Sequence, residues 1–232
     1  MPVALAVFDA YGTLFDVAAA ARRHAEAPGR EAFAQVWPRI AELWRLKQLQ
    51  YTWLRATAGV HEDFWQVTQD GLDWAIEAVG GEGAGVMAQD RQALLDLYWR
   101  LEAYPEVPQM LRDLKAAGRR TAILSNGSPA MLQGAVDSAG IGDALDAVLS
   151  VQSVGVFKPA PQVYDLVGRS FGTSAREVLF VSSNGWDAAA ATGYGFRTVW
   201  VNRAGEPEDR LPWRPERQAR DLTGVPALAG SL

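Results

Sequence analysis

The spacing of apolar positions changes along the chain, and each change predicts a different element. Val3-Ala4-Leu5-Ala6-Val7-Phe8 runs unbroken into Asp9. A short continuous apolar run with β-branched members predicts a strand covered on both faces, as in a parallel sheet. After Leu14 the spacing becomes helical and stays so to about Leu101. Pro38 is placed to open a helix on which Ile40, Leu43, Trp44, Leu46, Tyr51 and Leu54 recur, and Gly59 ends it. A second helix is predicted over 63–79, with Phe64, Val67, Gly71, Ala75 and Ala78 on one stripe. A flexible Gly-rich connector follows over 80–85, then a third helix over 89–101 with Leu94, Leu97, Tyr98 and Leu101 inward.

From Tyr104-Pro105-Glu106-Val107-Pro108 onward, helices and strands alternate. Helices are predicted over 108–117, from Ser128-Pro129 to Gly140, from Pro161 to about Gly172, and over 186–192. Strands are predicted over 119–124, 147–151, 178–181 and 198–201. The Pro- and Arg-rich tail after Asn202 reads as irregular surface structure. This alternation predicts an α/β fold, a doubly wound parallel (Rossmann-like) sheet interrupted by an all-helical insertion. The core is expected over 1–14 and 102–232, and the helical insertion over 15–101.

Composition narrows the function. The 232 residues suffice for one large domain or a domain with an insertion. A net charge of −5 gives no basic footprint for nucleic acid. The longest apolar runs are too short to span a bilayer, and no signal peptide is visible. No cysteine is present, which removes disulfides, thiolate metal sites and a thiol nucleophile, and fits a cytoplasmic location. The two histidines, His24 and His61, fall in the helical region and are expected to be solvated helix residues, which argues against a Ser-His-Asp triad.

Candidate chemistry gathers at strand ends, where open α/β sheets bind their ligands. The first strand delivers Asp9, Tyr11 and Thr13; the second, Ser125-Asn126-Gly127; the third is followed by Lys158-Pro159; the fourth delivers Ser182-Ser183-Asn184-Gly185-Trp186-Asp187. Taken singly each has a plain structural reading: Asp9 or Asp187 as a helix or turn cap, Ser125-Asn126-Gly127 as a turn, Lys158 as a solvated turn lysine. Taken together, a carboxylate, a lysine and small polar groups on one sheet edge make an active site.

These residues also carry a resemblance. Phe8-Asp9-Ala10-Tyr11-Gly12-Thr13-Leu14 resembles the first motif of the haloacid dehalogenase superfamily, Leu124-Ser125-Asn126-Gly127 the second, Val156-Phe157-Lys158-Pro159 the third, and Phe180 through Ala188 the fourth. Phosphatases of that superfamily place a second Asp where this chain has Tyr11, and an acidic residue where it has Ser183-Asn184. The departures point to the 2-haloacid dehalogenases, and Leu43 through Arg55 is similar to a helix of their cap domain. The resemblance implies hydrolysis of short (S)-2-haloalkanoic acids with inversion, through an ester on Asp9. It implies no metal and no other cofactor. In these roles Lys158 keeps Asp9 ionised; Thr13 orients it; Asp187, held with Ser182 and Asn184, activates water. Arg45 and Asn126 would cradle the halide, and Ser125 with the backbone N–H groups of Ala10 and Tyr11 the substrate carboxylate. Tyr164 is expected to contact the Lys158 region. Tyr11, Leu46, Leu49, Phe64 and Trp186 are expected to wall the alkyl group, although core packing explains each of them equally well. A homodimer is implied by the resemblance alone. Two other readings stay open: a magnesium-dependent phosphatase on the same fold, and a binding protein without catalysis.

Overall fold

Strand β1 (Leu5–Phe8) lies inside a six-stranded parallel sheet of order β3-β2-β1-β4-β5-β6. The computed structural model describes residues 2–232; residue 1 of the expected core segment lies outside them. All four β1 side chains are fully buried, as an apolar run without alternation requires. β1 pairs with β2 (Arg120–Ser125) on one side and β4 (Val178–Ser182) on the other. Phe8 is level with Ile123 and with Val181, so this register brings Asp9, Ser125 and Ser182 out along one edge of the sheet. β3 (Ala147–Ser150) flanks β2, and β5 (Arg197–Val201) flanks β4.

The helices between the strands follow their end signals. α5 spans Val107–Ala116 and packs on β2. α6 (Pro129–Ala139) is capped by the Ser128 hydroxyl, which accepts the Met131 N–H, and stops at Gly140 with φ 63°. α7 spans Pro161–Phe171, and α8, Gly185–Tyr194, packs on β4 and β5. The tail departs from expectation. Arg217–Ala219 adds a sixth strand, β6, parallel to β5, and Val225–Ser231 forms a closing helix, α9. β6 is a three-residue edge strand of mostly polar residues, so it carries no apolar run from which to predict it.

Between β1 and α5 the described secondary structure is helical: α1 (Val17–Ala25), α2 (Glu31–Ala58), α3 (Phe64–Ala78) and α4 (Ala88–Leu97), with one 3₁₀ turn over Gly81–Ala84. α2 begins well before Pro38, which sits inside it. Proline has no N–H to give the Ala34 carbonyl, yet Phe33 and Trp37 bury on the N-terminal side and hold that turn helical. α3 is capped by Asp63, which accepts the Trp65 N–H at 2.6 Å; Ala78, expected inward, is exposed, and Thr68 and Leu72 bury instead. α4 ends at Leu97 rather than Leu101 because Tyr98, Trp99 and Arg100 tighten into i→i−3 bonds; Tyr98 and Leu101 are buried all the same. The Gly-rich connector is a 3₁₀ turn bounded by left-handed Gly80 and Gly85. Neither histidine is a solvated helix residue. His24 on α1 reaches buried Asp90 at 3.1 Å and lies edge-on to Phe33, and His61, in the turn between α2 and α3, covers the Phe157 ring at 4.7 Å. The chain crosses between sheet and insertion as a paired segment: Asp16 N–H donates to Glu102 O at 2.9 Å and Tyr104 N–H to Leu14 O at 3.0 Å.

Candidate active site

The Asp9 carboxylate is presented by the tight loop that follows β1. Gly12 takes φ 80°, a left-handed turn that glycine adopts without strain, and a Cβ there would lie 3.2 Å from the Ser183 hydroxyl. The turn brings Thr13 back over the nucleophile position, where its hydroxyl donates to Asp9 Oδ2 at 3.1 Å and accepts the Ser183 N–H at 2.8 Å. The Asn184 amide donates to the same oxygen at 3.0 Å. Asp9 Oδ1 accepts from Lys158 Nζ at 3.1 Å.

Lys158 is almost completely buried and divides its charge between two carboxylates, reaching Asp187 Oδ2 at 2.8 Å as well as Asp9. Burial pulls its ammonium down most strongly of any single influence, but Asp187 and Asp9 together outweigh it and leave Lys158 above the ordinary lysine value. Its backbone N–H is fixed by the Asn126 side-chain oxygen at 3.0 Å. Asp187, in the first turn of α8, accepts also from Tyr164 at 2.8 Å and Ser182 at 3.1 Å. Complete burial raises the Asp187 carboxyl above the ordinary range, against the opposing pull of Lys158. Burial and the neighbouring Asp187 likewise push the Tyr164 phenol well up, so it acts as a hydrogen-bond donor. Among the described residues, no three His, Cys, Asp or Glu side chains gather to hold a metal ion. The position between the two aspartates is taken by the Lys158 ammonium.

Arg45 comes from α2 and ties the helical insertion to the sheet edge, its guanidinium donating to Asn184 Oδ1 at 2.6 Å. Arg45, Asn184 and Asp9 thus form one hydrogen-bonded chain. Beside it lies a cavity of about 250 Å³. Trp37, Ala41, Trp44, Leu94, Leu97 and Tyr98 give it an apolar wall, and Arg45 and Asn184 stand at its polar side.

The residues expected here separate into those the fold brings together and those it does not. Asp9, Thr13, Lys158, Ser182, Asn184, Asp187 and Arg45 share one bonded network. Within it Asn184 bonds Asp9 through its side chain and meets Asp187 through its backbone, its carbonyl accepting the Asp187 N–H at 3.1 Å and its N–H donating to Ser182 Oγ. Tyr164 bonds Asp187 rather than Lys158 and is buried beneath the site. Ser125 Oγ accepts the Gly127 N–H at 3.1 Å. Tyr11 lines the cavity, buried against Phe64 and Tyr98, and its hydroxyl, with no partner among the described residues, lies where a Cβ on Gly127 would be 3.0 Å away. Leu46 is not a pocket wall: it is 55% exposed, because it lies on the outward face of α2. Leu49 is half-buried, and Trp186 turns away to meet Trp53 edge-on at 5.4 Å; neither lines the cavity beside Asn184. Gln48, Tyr98 and Trp37 line it although no sequence argument placed them at a site. The available signal was Gln48, a polar residue four positions after Trp44 on the buried stripe of α2.

Comparison with known proteins agrees with this geometry. The haloacid dehalogenase-like hydrolase family matches residues 3–195. An (S)-2-haloacid dehalogenase of Pseudomonas sp. strain CBS-3 is 41% identical over 228 residues, 98% of this chain and 96% of that protein. The crystal structure of the L-2-haloacid dehalogenase RSc1362 superposes with a TM-score of 0.92 at 39% identity, covering 99% of each chain. That of an L-2-haloacid dehalogenase from Xanthobacter autotrophicus, solved with chloropropionic acid covalently bound, superposes with a TM-score of 0.85 at 36% identity, over 97% of this chain and 98% of that one. A buried Asp–Lys–Asp relay at the sheet edge, reached by an arginine from a helical insertion, in a chain so similar to these proteins over almost its whole length, places it in the (S)-2-haloacid dehalogenase family of haloacid dehalogenase-like hydrolases.

Proposed function

We propose that the chain hydrolyses short (S)-2-haloalkanoic acids to 2-hydroxy acids with inversion at C2, through an ester on Asp9. The observation that carries this reading is the Asp9 carboxylate paired with buried Lys158 and withdrawn from bulk water. An Asp9 oxygen attacks C2 as the carbon–halogen bond breaks, and the electron pair leaves with halide. Water then attacks the ester carbonyl of Asp9 as Asp187 takes one of its protons; the ester bond breaks, Asp187 returns that proton to the leaving alkoxide, and the 2-hydroxy acid departs while the other water proton leaves Asp9 for solvent. Thr13 and Asn184 orient the nucleophile, and Lys158 balances the charge that alternates between the two aspartates. Arg45 and Asn126 meet the leaving halide, since stabilising developing negative charge is usually the largest catalytic contribution. Ser125 and the N–H groups of Ala10 and Tyr11 hold the substrate carboxylate, while Phe64 packs behind Tyr11. The covalently bound chloropropionic acid in the Xanthobacter autotrophicus relative supports a covalent route.

The same reading divides the chain into a core over 1–14 and 102–232 and a cap over 15–101, supported by the paired crossing at Leu14–Asp16 and Glu102–Tyr104. It works without a metal, supported by the Lys158 ammonium between Asp9 and Asp187. It is placed in the cytoplasm as a homodimer; exposed Leu46, Trp53 and Leu54 on α2 and Trp74 on α3 support an apolar contact between copies. The test is halide release from (S)-2-chloropropionate with EDTA present, beside hydrolysis of p-nitrophenyl phosphate with Mg²⁺. Halide release that EDTA leaves unchanged is expected; phosphatase activity alone would overturn the reading.

A further inference from the structure

The cavity beside Asn184 is larger than a short haloacid needs. A cavity of about 150 Å³ lined by Leu, Ile and Phe stays dry and takes up benzene; this one measures about 250 Å³. Its wall is formed by Trp37, Ala41, Trp44, Leu94 and Leu97. Gln48, one of two neutral amides on the lining with Asn184, makes no demand on a guest. Its nitrogen already donates to Thr68 Oγ1 and Tyr98 Oη, each at 3.0 Å, and its oxygen accepts from Tyr98 at 3.2 Å. The Arg45 guanidinium is bonded to Asn184 and stands at the same end as the nucleophile. Tyr11 lines the cavity too, its hydroxyl beside Gly127 and without a partner among the described residues. Against Trp37, Ala41, Trp44, Leu94 and Leu97 a guest is hydrocarbon, because a polar group there would give up water without a partner. Asn184 both lines the cavity and donates to Asp9, so one side-chain amide links the cavity to the reacting carboxylate.

We propose that this cavity receives the side chain of longer 2-haloacids, making medium-chain (four to six carbon) 2-haloalkanoates better substrates than 2-halopropionate. The inference rests on the dehalogenase reading above. Each methylene moved from water into the cavity is worth about a fourfold gain in kcat/KM where it is bound in the transition state. Ala41 is the small residue of the wall, so Ala41→Phe fills the space, while Leu97→Ala enlarges it.

The experiment measures kcat/KM for (S)-2-bromopropionate, (S)-2-bromobutanoate and (S)-2-bromohexanoate with the parent chain and both variants, with thermal melts as the folding control. The expected result is a rise of about tenfold or more from propionate to hexanoate in the parent. Ala41→Phe removes that rise, and Leu97→Ala keeps the rise or steepens it. A flat or falling series in the parent, with bromopropionate turned over, overturns the inference and leaves the dehalogenase reading intact. A rise that survives in folded Ala41→Phe shows that the hydrocarbon lies elsewhere and overturns it too. If Ala41→Phe does not fold, a series flattened by Leu97→Ala overturns it. No turnover of any bromoacid overturns the dehalogenase reading, and this inference with it.

Discussion

At the scale of residues, the site is a charge arrangement in which every member depends on burial. Two carboxylates and one ammonium are withdrawn from water together, and each is given further hydrogen bonds. Removing one partner of such a buried set costs about 3–5 kcal/mol, since the others are left uncompensated. Asp9→Asn is expected to lower halide release by at least about 10⁴-fold, as loss of a covalent nucleophile does. One turnover of excess parent enzyme in H₂¹⁸O is expected to put label into the Asp9 carboxylate, read by mass spectrometry of its peptide; label in the product instead would mean direct water attack on C2. Asp187 carries the second prediction. Its carboxyl is raised by burial, so it takes up a proton at a higher pH than an ordinary aspartate and loses its capacity as a base there. The acid limb of kcat should therefore lie above the usual carboxylate range. An acid limb within the ordinary aspartate range in the pH profile would remove Asp187 from that role.

At the scale of elements, end signals were more informative than helix interiors. Ser128, Gly140, Gly172 and Gly59 stand at the ends of α6, α7 and α2 as their chemistry predicts, because a cap is a local bond or a local φ and needs no tertiary partner. Helix starts set by packing were not readable: α2 runs through Pro38 because Phe33 and Trp37 find a buried surface that only the folded insertion provides. The cap of α3 gives the third prediction. Asp63→Ala should cost about 1 kcal/mol in denaturant unfolding, while a larger loss would mean that Asp63 holds more than the Trp65 N–H.

At the scale of the whole molecule, the crossing between sheet and insertion is held from below by Arg203. Its guanidinium lies 3.6 Å from the Tyr104 ring centre, donates to the Thr13 carbonyl at 3.1 Å and pairs with Glu106 at 2.9 Å. It thereby grips both strands of the crossing and the residue that orients Asp9. Arg203→Lys keeps the charge but loses the planar stack and the fork geometry. It is expected to lower kcat by several-fold with little change in KM for 2-chloropropionate; an unchanged kcat would confine Arg203 to structure. The proposed homodimer predicts a sedimentation-equilibrium mass near twice the 25.2 kDa of one chain, and Trp53→Glu should return it toward a single chain's mass.

The sequence by itself determined the alternation of strands and helices from the first strand to Asn202 and which of their ends carry chemistry, but not β6 or α9. An apolar run, a cap or a motif is written in consecutive residues, and Asp9, Lys158 and Asp187 were legible for that reason. Only the tertiary structure decided which side chains face one another. The register that levels Phe8 with Val181 brings Asn184 to Asp9, and the rotation of α2 about its axis sends Leu46 to solvent while Gln48 and Trp44 face the cavity. Those choices come from packing between segments far apart in the chain, where each helix turns to bury its largest apolar area, and no local spacing encodes the outcome.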